Sequence, residues 1–316
     1  MSDIDAYKKF CHQRNDLSIF IRPWWLDASC GESGWNVSLC IKNDEIVGAL
    51  PYRLGRKWGM NHLLMPPLTP FLGPWITLNS QKESERFTEE RDILISLVNN
   101  LPEVTKSFHR LHPGTGNALP FYWNGYSLST AYTYQIVDLH DLDTIWAGFR
   151  SSARREIRKA ESRFNLTVNA SDSFEDFYSI YMKTFHRQSL EPKIPLSIFR
   201  SVHDACKRED ASTILTAQDP AGVIHAVMYL LHDSQSTYYL AGGGDPGLRN
   251  SGAASLIVWE ALRLAATKSQ KFDFEGSMIQ PIEKYFTSFG AVQTPYHCVS
   301  KINSRLLKFI YAARNT

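Results

Sequence analysis

The sequence lacks several features that would assign it to a class at once. Its 316 residues include five cysteines without C-x-x-C spacing, which favours reduced thiols in a cytoplasmic protein over a disulfide framework. The nearby pair His109 and His112 has no cysteine or carboxylate at ligand spacing, so we expect no metal. No run reaches the roughly 18 apolar residues that span a bilayer, and the N-terminal segment has no signal-peptide core. The net charge of +2 is too small to indicate a nucleic-acid partner by itself.

The residues that are present predict a globular protein with a repeated element. Hydrophobic residues make up 43% and charged residues 21%, which is enough to bury real cores, and the length suits about two domains. Two stretches look alike, at 36–54 and 212–231. Each is a β-rich run, a turn and a second β-rich run, the pattern of a β-hairpin. This repetition indicates one fold used twice; a chance resemblance of two hairpins is the alternative.

The order of elements predicts an α/β fold of the α+β kind. After residue 150 we expect three helices, the second hairpin, and then strand, helix, strand, helix and strand. The first half also mixes strands and helices around its own hairpin. We therefore predict two tandem domains, each a mixed sheet flanked by helices, with bounds 1–139 and 140–316.

The stretch LRNSGAAS, at 248–255, lies between a predicted strand and a predicted helix. Small residues at a helix N-terminus let phosphate oxygens approach free N–H groups, and an arginine can add a bidentate contact. A tightly packed helix start with a surface arginine explains the same residues. On the first interpretation these residues bind the phosphates of a cofactor. The candidates are Arg249, Asn250, Ser251, Gly252, Ala253 and Ala254.

The stretch FDFEGSMIQPIEKYFTSFGA, at 272–291, places acids at the end of a predicted strand. Because strand side chains alternate, Asp273 and Glu275 point to the face opposite the two phenylalanines. An acid at a strand end beside a pocket can accept a proton from an attacking amine. A solvated acidic face is the alternative. Which of the two acids faces a cleft stays open, since a one-residue error in register reverses the faces.

Further candidates concern binding of the acceptor substrate. Arg154 and Arg158 share a helix face and could hold phosphate, although a charge run is commonly a solvated face. Tyr239 lines a pocket or packs in the core. Three residues after the acidic strand would line the pocket for that substrate: Ser277, Tyr285 and Phe286.

Taken together, three motifs resemble the FemAB-like branch of the GNAT acyltransferase superfamily. ARREIRKAESRFNLTV is similar to its helix-to-strand signature, LRNSGAAS to the R-x-x-G-x-A acyl-CoA loop, and FDFEGS…FG to its ending. The resemblance covers roughly 140–300, about what one domain occupies. It implies two tandem GNAT-like domains and transfer of an acyl or aminoacyl group onto an amine.

The sequence departs from the peptidoglycan members of that branch, which take an amino acid from aminoacyl-tRNA. No counterpart of their helical-hairpin insertion is visible, and their F-K-x-x-F-G lysine falls on Thr287. The sequence does contain the R-x-x-G-x-A loop, which begins at Arg249. The resemblance thus favours acyl-CoA as donor and disfavours, without excluding, tRNA.

Three hypotheses follow from the residues and the resemblance. The first is a cytoplasmic N-acyltransferase that uses acyl-CoA to modify a small-molecule, nucleotide-linked or lipid-linked amino sugar in cell-surface glycan synthesis, with a peripheral contact at the inner membrane surface. Backbone N–H groups at 240–242 would polarise the thioester carbonyl. The second is an aminoacyl-tRNA-dependent transferase of the peptidoglycan-bridge type. The third is a non-catalytic GNAT pair that serves as an assembly partner.

Overall fold

The computed structural model describes residues 2–57, 59–187 and 189–304. The chain forms two compact units. The first contains the described residues of 2–131 together with 295–304, and the second contains those of 132–294. Residues 132–139 therefore belong with the second half, and 295–304 with the first. The domain bounds 1–139 and 140–316 stay a prediction.

The first unit combines helices with a mixed sheet. Its strands are ordered β1-β2-β3-β5-β12, and β4 pairs with β2. β3 and β5 are parallel, and the other pairs are antiparallel. The elements are α1 Asp3–His12, α2 Pro23–Cys30, β1 Trp35–Lys42, β2 Glu45–Lys57, β3 Met60–Leu64, β4 Trp75–Ile76, α3 Glu83–Asn99, β5 Lys106–Arg110, α4 Leu119–Trp123 and the later part of β12 Val292–Ile302.

The second unit has a sheet ordered β6-β11-β10-β9-β8-β7. β10 and β11 are parallel, and the other pairs are antiparallel. The elements are the later part of β6 Ser127–Ile136, α5 Leu142–Gly148, α6 Ser151–Phe164, β7 Thr167–Ser171, α7 Phe174–Arg187, α8 Leu196–Arg208, β8 Ser212–Gln218, β9 Ile224–His232, β10 Ser236–Gly244, α9 Ala253–Ala265, β11 Lys271–Asp273 and α10 Gln280–Thr287.

The two units repeat one topology. In each, a hairpin is followed by a third antiparallel strand, a helical crossover and a strand parallel to the third: β1-β2-β3-α3-β5 and β8-β9-β10-α9-β11. The crossover of the first unit also contains the two-residue strand β4. Both hairpins also shift register by one residue beside their turn, between Cys40 and Ile41 and between Ala217 and Gln218. The two predicted hairpins are confirmed.

The core of the second unit explains the sequence pattern of its helices. Because side chains alternate along β9, Met228 and Leu230 pack with α6 and α9, while Tyr229 lies between the rings of Phe177 on α7 and Phe199 on α8. Helices therefore cover both faces of this sheet. α9 is apolar on most sides because eight of its residues are buried.

The start of α7 provides a first testable prediction. The Ser173 hydroxyl oxygen accepts the N–H of Asp176 at 3.1 Å, so Ser173 caps the helix. We expect Ser173→Ala to lower the free energy of unfolding by about 1 kcal/mol, measured by chemical denaturation. Asp172→Ala is the matched control, since the Asp172 side chain is 98% exposed; it should change stability by less than about 0.5 kcal/mol. Equal effects of the two variants would contradict the cap assignment.

Candidate active site

Strands β10 and β11 run side by side and then separate. Their parallel pairing covers Ser236–Tyr238 against Lys271–Asp273. β10 continues to Gly244 on the β9 side, with a register shift that leaves Leu240 as the extra residue of a bulge. Beyond Tyr238, no described strand pairs with the opposite edge of β10. The backbone at 240–242 is therefore available to a ligand at the point of separation.

The loop that precedes α9 closes one end of this gap. A 3-10 helix, Pro246–Ser251, leads into Gly252, whose φ of +83° is the left-handed conformation that favours glycine. Asp245 holds the loop because its carboxylate accepts the N–H of Gly247 at 2.8 Å and pairs with Lys183 on α7 at 2.6 Å. The loop is thus anchored before any ligand binds.

The six predicted donor-binding residues divide into anchored and accessible ones. A Cβ atom on Gly252 would overlap the carbonyl oxygen of Glu156 on α6, so close helix packing accounts for the glycine. Ser251 and Ala253 are also buried, and the Ser251 hydroxyl oxygen accepts the Ala253 N–H at 3.4 Å. The exposed members are Arg249, Asn250 and Ala254.

Arg249 is the accessible cation of this loop. Within the described chain its guanidinium has no ion pair or hydrogen bond to another residue. The first turn of α9 holds no acidic side chain, and the Gly252 N-cap offers no capping side chain. A free guanidinium near the positive end of a helix can bind an anion. Donor binding by these residues stays a prediction.

Asp273 occupies the last position of β11 and is fully engaged. Its carboxylate accepts the Thr133 hydroxyl, the Gln135 amide at 2.7 Å and the backbone N–H of Glu275 at 2.7 Å. Burial raises the pKa of Asp273, and the three donors oppose that rise by favouring the ionised form. These bonds leave Asp273 little freedom to meet a substrate.

Glu275 differs from Asp273 in its backbone conformation and in its hydrogen bonding. Its backbone has a φ of +57°, which is uncommon for a residue with a side chain, and its side-chain atom Oε1 is buried without a hydrogen-bond partner. Burial, and secondarily the nearby Asp273, raises the pKa of Glu275 well above its ordinary value. Strained backbone, an orphan oxygen and a perturbed carboxyl together mark a candidate functional group.

The chain after Glu275 turns away from β10. Gly276 has a φ of +68°, and a Cβ atom there would overlap the carbonyl oxygen of Tyr132 on β6. The backbone thus bends across β6 instead of extending beside β10. Glu275 follows Asp273, the last residue of β11 that pairs with β10, by two positions.

Aromatic side chains from α10 and β10 form one wall of the gap. The Tyr285 hydroxyl donates to the Ala254 carbonyl at 2.7 Å, which fastens α10 to the first turn of α9. The rings of Phe286 and Tyr239 lie 6.2 Å apart. Burial raises the pKa of Tyr239 to about 12 and that of Tyr285 well above its usual range, so both hydroxyls stay protonated near neutral pH. The structure brings together these three predicted residues and the first turn of α9.

Comparison with known proteins identifies this architecture. Residues 147–279 match the family model described as Acetyltransferase (GNAT) domain, a range that includes the separating strands, the loop before α9 and Glu275. Residues 147–279 are a GNAT domain. The protein is accordingly an acyltransferase, as predicted. No curated protein matches the chain by sequence.

Solved structures extend the likeness to the whole fold. FemX superimposes with a TM-score of 0.66 at 12% identity, over 94% of this chain and 96% of that chain. A tandem GNAT protein from the clavulanic acid biosynthesis pathway gives 0.53 at 9%, over 95% and 96%. The C-terminal domain of a putative lysylphosphatidylglycerol synthetase from Agrobacterium fabrum gives 0.55 at 10%, over 94% and 91%. The predicted FemAB-like, tandem GNAT fold is confirmed.

Two predicted acceptor-binding arginines of the GNAT domain lie elsewhere. Arg154 donates to the carbonyls of Trp146 and Ala147 at 3.2 and 2.8 Å, so it caps the end of α5. The Arg158 guanidinium lies 5.9 Å from the Trp146 ring. α6 approaches Gly252 through Glu156 and Ala160, and Arg158 is roughly 160° around the helix from both. The structure does not bring these arginines to the loop, and their substrate contact stays a prediction.

Ser277 has a local role in the same turn. Its hydroxyl oxygen accepts the N–H of Ile279 at 3.1 Å, which shapes the entry to α10. Substrate contact by Ser277 stays a prediction. The next two side chains, Met278 and Ile279, are 68% and 60% exposed and place an apolar surface beside the gap.

Sequence reasoning missed Thr133 and Gln135, which hold Asp273. They alternate with the core residues Tyr134 and Ile136 along β6, and that alternation was the available signal. Their pairing with Asp273 depends on a strand distant in the chain.

The described residues contain no group of three or more His, Cys, Asp or Glu side chains placed to hold a metal ion. None of the described helices is long and apolar enough to cross a membrane.

Proposed function

We propose that this GNAT protein transfers an acyl group from acyl-CoA to the amine of an amino sugar in cell-surface glycan synthesis. The observation that carries the donor assignment is the separation of β10 from β11 beside the anchored loop with its free Arg249. A pantetheine-like chain can pair with the exposed edge of β10 while its pyrophosphate meets the loop and the start of α9. The donor then enters between the two strands.

The repeated topology supports one donor site, in the second unit. The first-unit counterpart of α9 is α3, and its first turn carries Glu83 and Glu85. Negative side chains at a helix N-terminus oppose phosphate binding, whereas the first turn of α9 has none. The duplicated fold therefore has only one copy suited to the donor among its described helices.

The proposed reaction needs one base and one polarising group. The acceptor nitrogen attacks the thioester carbonyl carbon, a C–N bond forms, the C–S bond breaks and the CoA sulfur leaves as thiolate. The Glu275 carboxylate takes the proton that the amine nitrogen loses, directly or through water. Backbone N–H groups at the Leu240 bulge stabilise the negative charge on the carbonyl oxygen. Holding the amine against the thioester supplies much of the remaining rate enhancement.

Arg249→Ala tests the donor assignment. We expect wild-type protein to bind CoA and acetyl-CoA with micromolar affinity in calorimetry, and the variant to bind about 10- to 100-fold more weakly, because a charge-assisted phosphate contact is lost. Arg263→Ala is the matched control on the same helix; Arg263 pairs with Glu260 at 3.0 Å, away from the loop, and its loss should leave affinity unchanged. Absence of wild-type binding at millimolar CoA would refute an acyl-CoA donor.

The acceptor proposal is supported by the surroundings of the gap. The partly exposed rings of Tyr239 and Tyr285 can stack on a sugar ring, and the buried Phe286 supports them from the core. The exposed Met278 and Ile279 suit an acceptor carried on a lipid at the inner membrane surface. Nucleotide-linked and lipid-linked amino sugars are therefore the acceptors to screen with acetyl-CoA.

Aminoacyl transfer is the second candidate. It is favoured by the shared fold with FemX and with the putative lysylphosphatidylglycerol synthetase domain. The same calorimetry separates the two functions, because a tRNA-dependent enzyme would ignore CoA and bind charged tRNA with a strong salt dependence.

A further inference from the structure

Asp273 and Glu275 form a pair of carboxyls with unequal surroundings. Asp273 is 1% exposed and accepts three hydrogen bonds, one of them from the Glu275 backbone N–H at 2.7 Å. Glu275 has a buried oxygen with no partner and a left-handed backbone. One carboxyl is thus saturated with donors, and the other receives none at Oε1.

The bond from the Glu275 N–H explains how the strained turn is held. A left-handed glutamate is strained, and it persists only where neighbouring bonds determine its conformation. The Asp273 carboxylate is itself fixed from β6 by Thr133 and Gln135. A chain of bonds therefore runs from β6 through Asp273 to the backbone of Glu275.

We propose that Asp273 is a positioning residue: its carboxylate, held from β6, fixes the strained turn at Glu275 just beyond the end of β11 and places a negative charge beside the Glu275 carboxyl. This assignment goes beyond the proposed acyl transfer and, as a statement about catalysis, rests on it. Glu275 is then the base, and Asp273 touches no reacting atom.

The charged groups around Glu275 support an electrostatic interaction with Asp273 alone. Asp273 on β11 is the one charged group that acts on Glu275 among the described residues. β6 faces the pair with Thr133 and Gln135, which carry no charge. Two neighbouring carboxyls resist being ionised together, and the one that accepts fewer hydrogen bonds is the harder to ionise.

The test is a carboxyl titration that needs neither donor nor acceptor. Protein labelled with [δ-13C]glutamate is titrated by NMR, and the Glu275 signal is the one missing from Glu275→Gln. We expect its wild-type midpoint at least about one pH unit above those of exposed glutamates, and a fall of about one unit or more in Asp273→Asn. Asparagine keeps an oxygen for the Glu275 N–H but removes the charge. Asp138→Asn, at an exposed carboxyl, should leave the midpoint in place.

Two results would overturn the proposal. One is a wild-type Glu275 that titrates with the exposed glutamates, which decides the matter even if Asp273→Asn does not fold. The other is an unmoved midpoint in folded Asp273→Asn, which would reduce Asp273 to a structural role. Failure of CoA binding would refute the donor instead and leave this titration unaffected, so the two failures are distinguishable.

Discussion

Glu275→Gln lowers kcat/KM for acyl transfer by about 100-fold or more, while the protein stays folded. Glutamine keeps the size of the side chain but cannot take the proton of the amine, and general-base catalysis contributes about 10²- to 10⁴-fold. The measurement is CoA thiol release from acetyl-CoA, with glucosamine and nucleotide-linked amino sugars as acceptor probes. Glu161→Gln, at an exposed position of α6, is the matched control and should keep wild-type activity.

The pH dependence separates loss of a base from a general defect. The pKa of Glu275 is raised, so the carboxylate is lost as the pH falls through that raised value. Wild-type kcat/KM should therefore drop about tenfold per pH unit below it. Ionisation of the acceptor amine affects the wild type and Glu275→Gln equally. A difference between their plots of kcat/KM against pH therefore reports Glu275 alone. Glu275 would be removed from the mechanism if Glu275→Gln kept a third or more of the wild-type kcat/KM. The same conclusion would follow if its kcat/KM fell at low pH as that of the wild type does.

Local sequence patterns were sufficient for much of the fold. The hairpins at β1-β2 and β8-β9 could be predicted because turn residues separate two β-rich runs, and α9 because small residues open an apolar helix. These signals depend on neighbours in the chain. The repeat of a hairpin was also enough to indicate a duplicated fold, which the matching strand orders of the two units bear out.

The parts of the site that could not be predicted depend on contacts between distant segments. The alternation of side chains placed Asp273 and Glu275 on one face. It could not show that Thr133 and Gln135 donate hydrogen bonds to the carboxylate of Asp273 and not to that of Glu275. The strand also ends at Asp273, so alternation gives no orientation for Glu275 in the turn beyond it. Likewise Arg154 belongs to a basic face in the sequence, while its hydrogen bonds go to carbonyls of the preceding helix.

The duplicated topology gives the site its asymmetry. Both units supply a helical crossover between two parallel strands, yet α3 begins with acidic residues and α9 with Gly252 and two alanines. The two copies of the fold therefore differ at the helix start, where α3 carries acidic side chains and α9 carries small ones.

Gly252→Ala is expected to destabilise the protein strongly, because two costs combine at this position. A left-handed alanine costs about 1–2 kcal/mol, and relieving its overlap with the Glu156 carbonyl requires α6 to shift, at about 1–3 kcal/mol more. We expect the free energy of unfolding to fall by about 2–5 kcal/mol in chemical denaturation. Gly222→Ala is the matched control: its φ of +81° is nearly the same, but a Cβ atom there meets nothing within 4 Å. It should show the backbone cost alone. Equal losses in the two variants would mean that α6 does not press on the loop, and the packing account of Gly252 would give way to a direct role in donor binding.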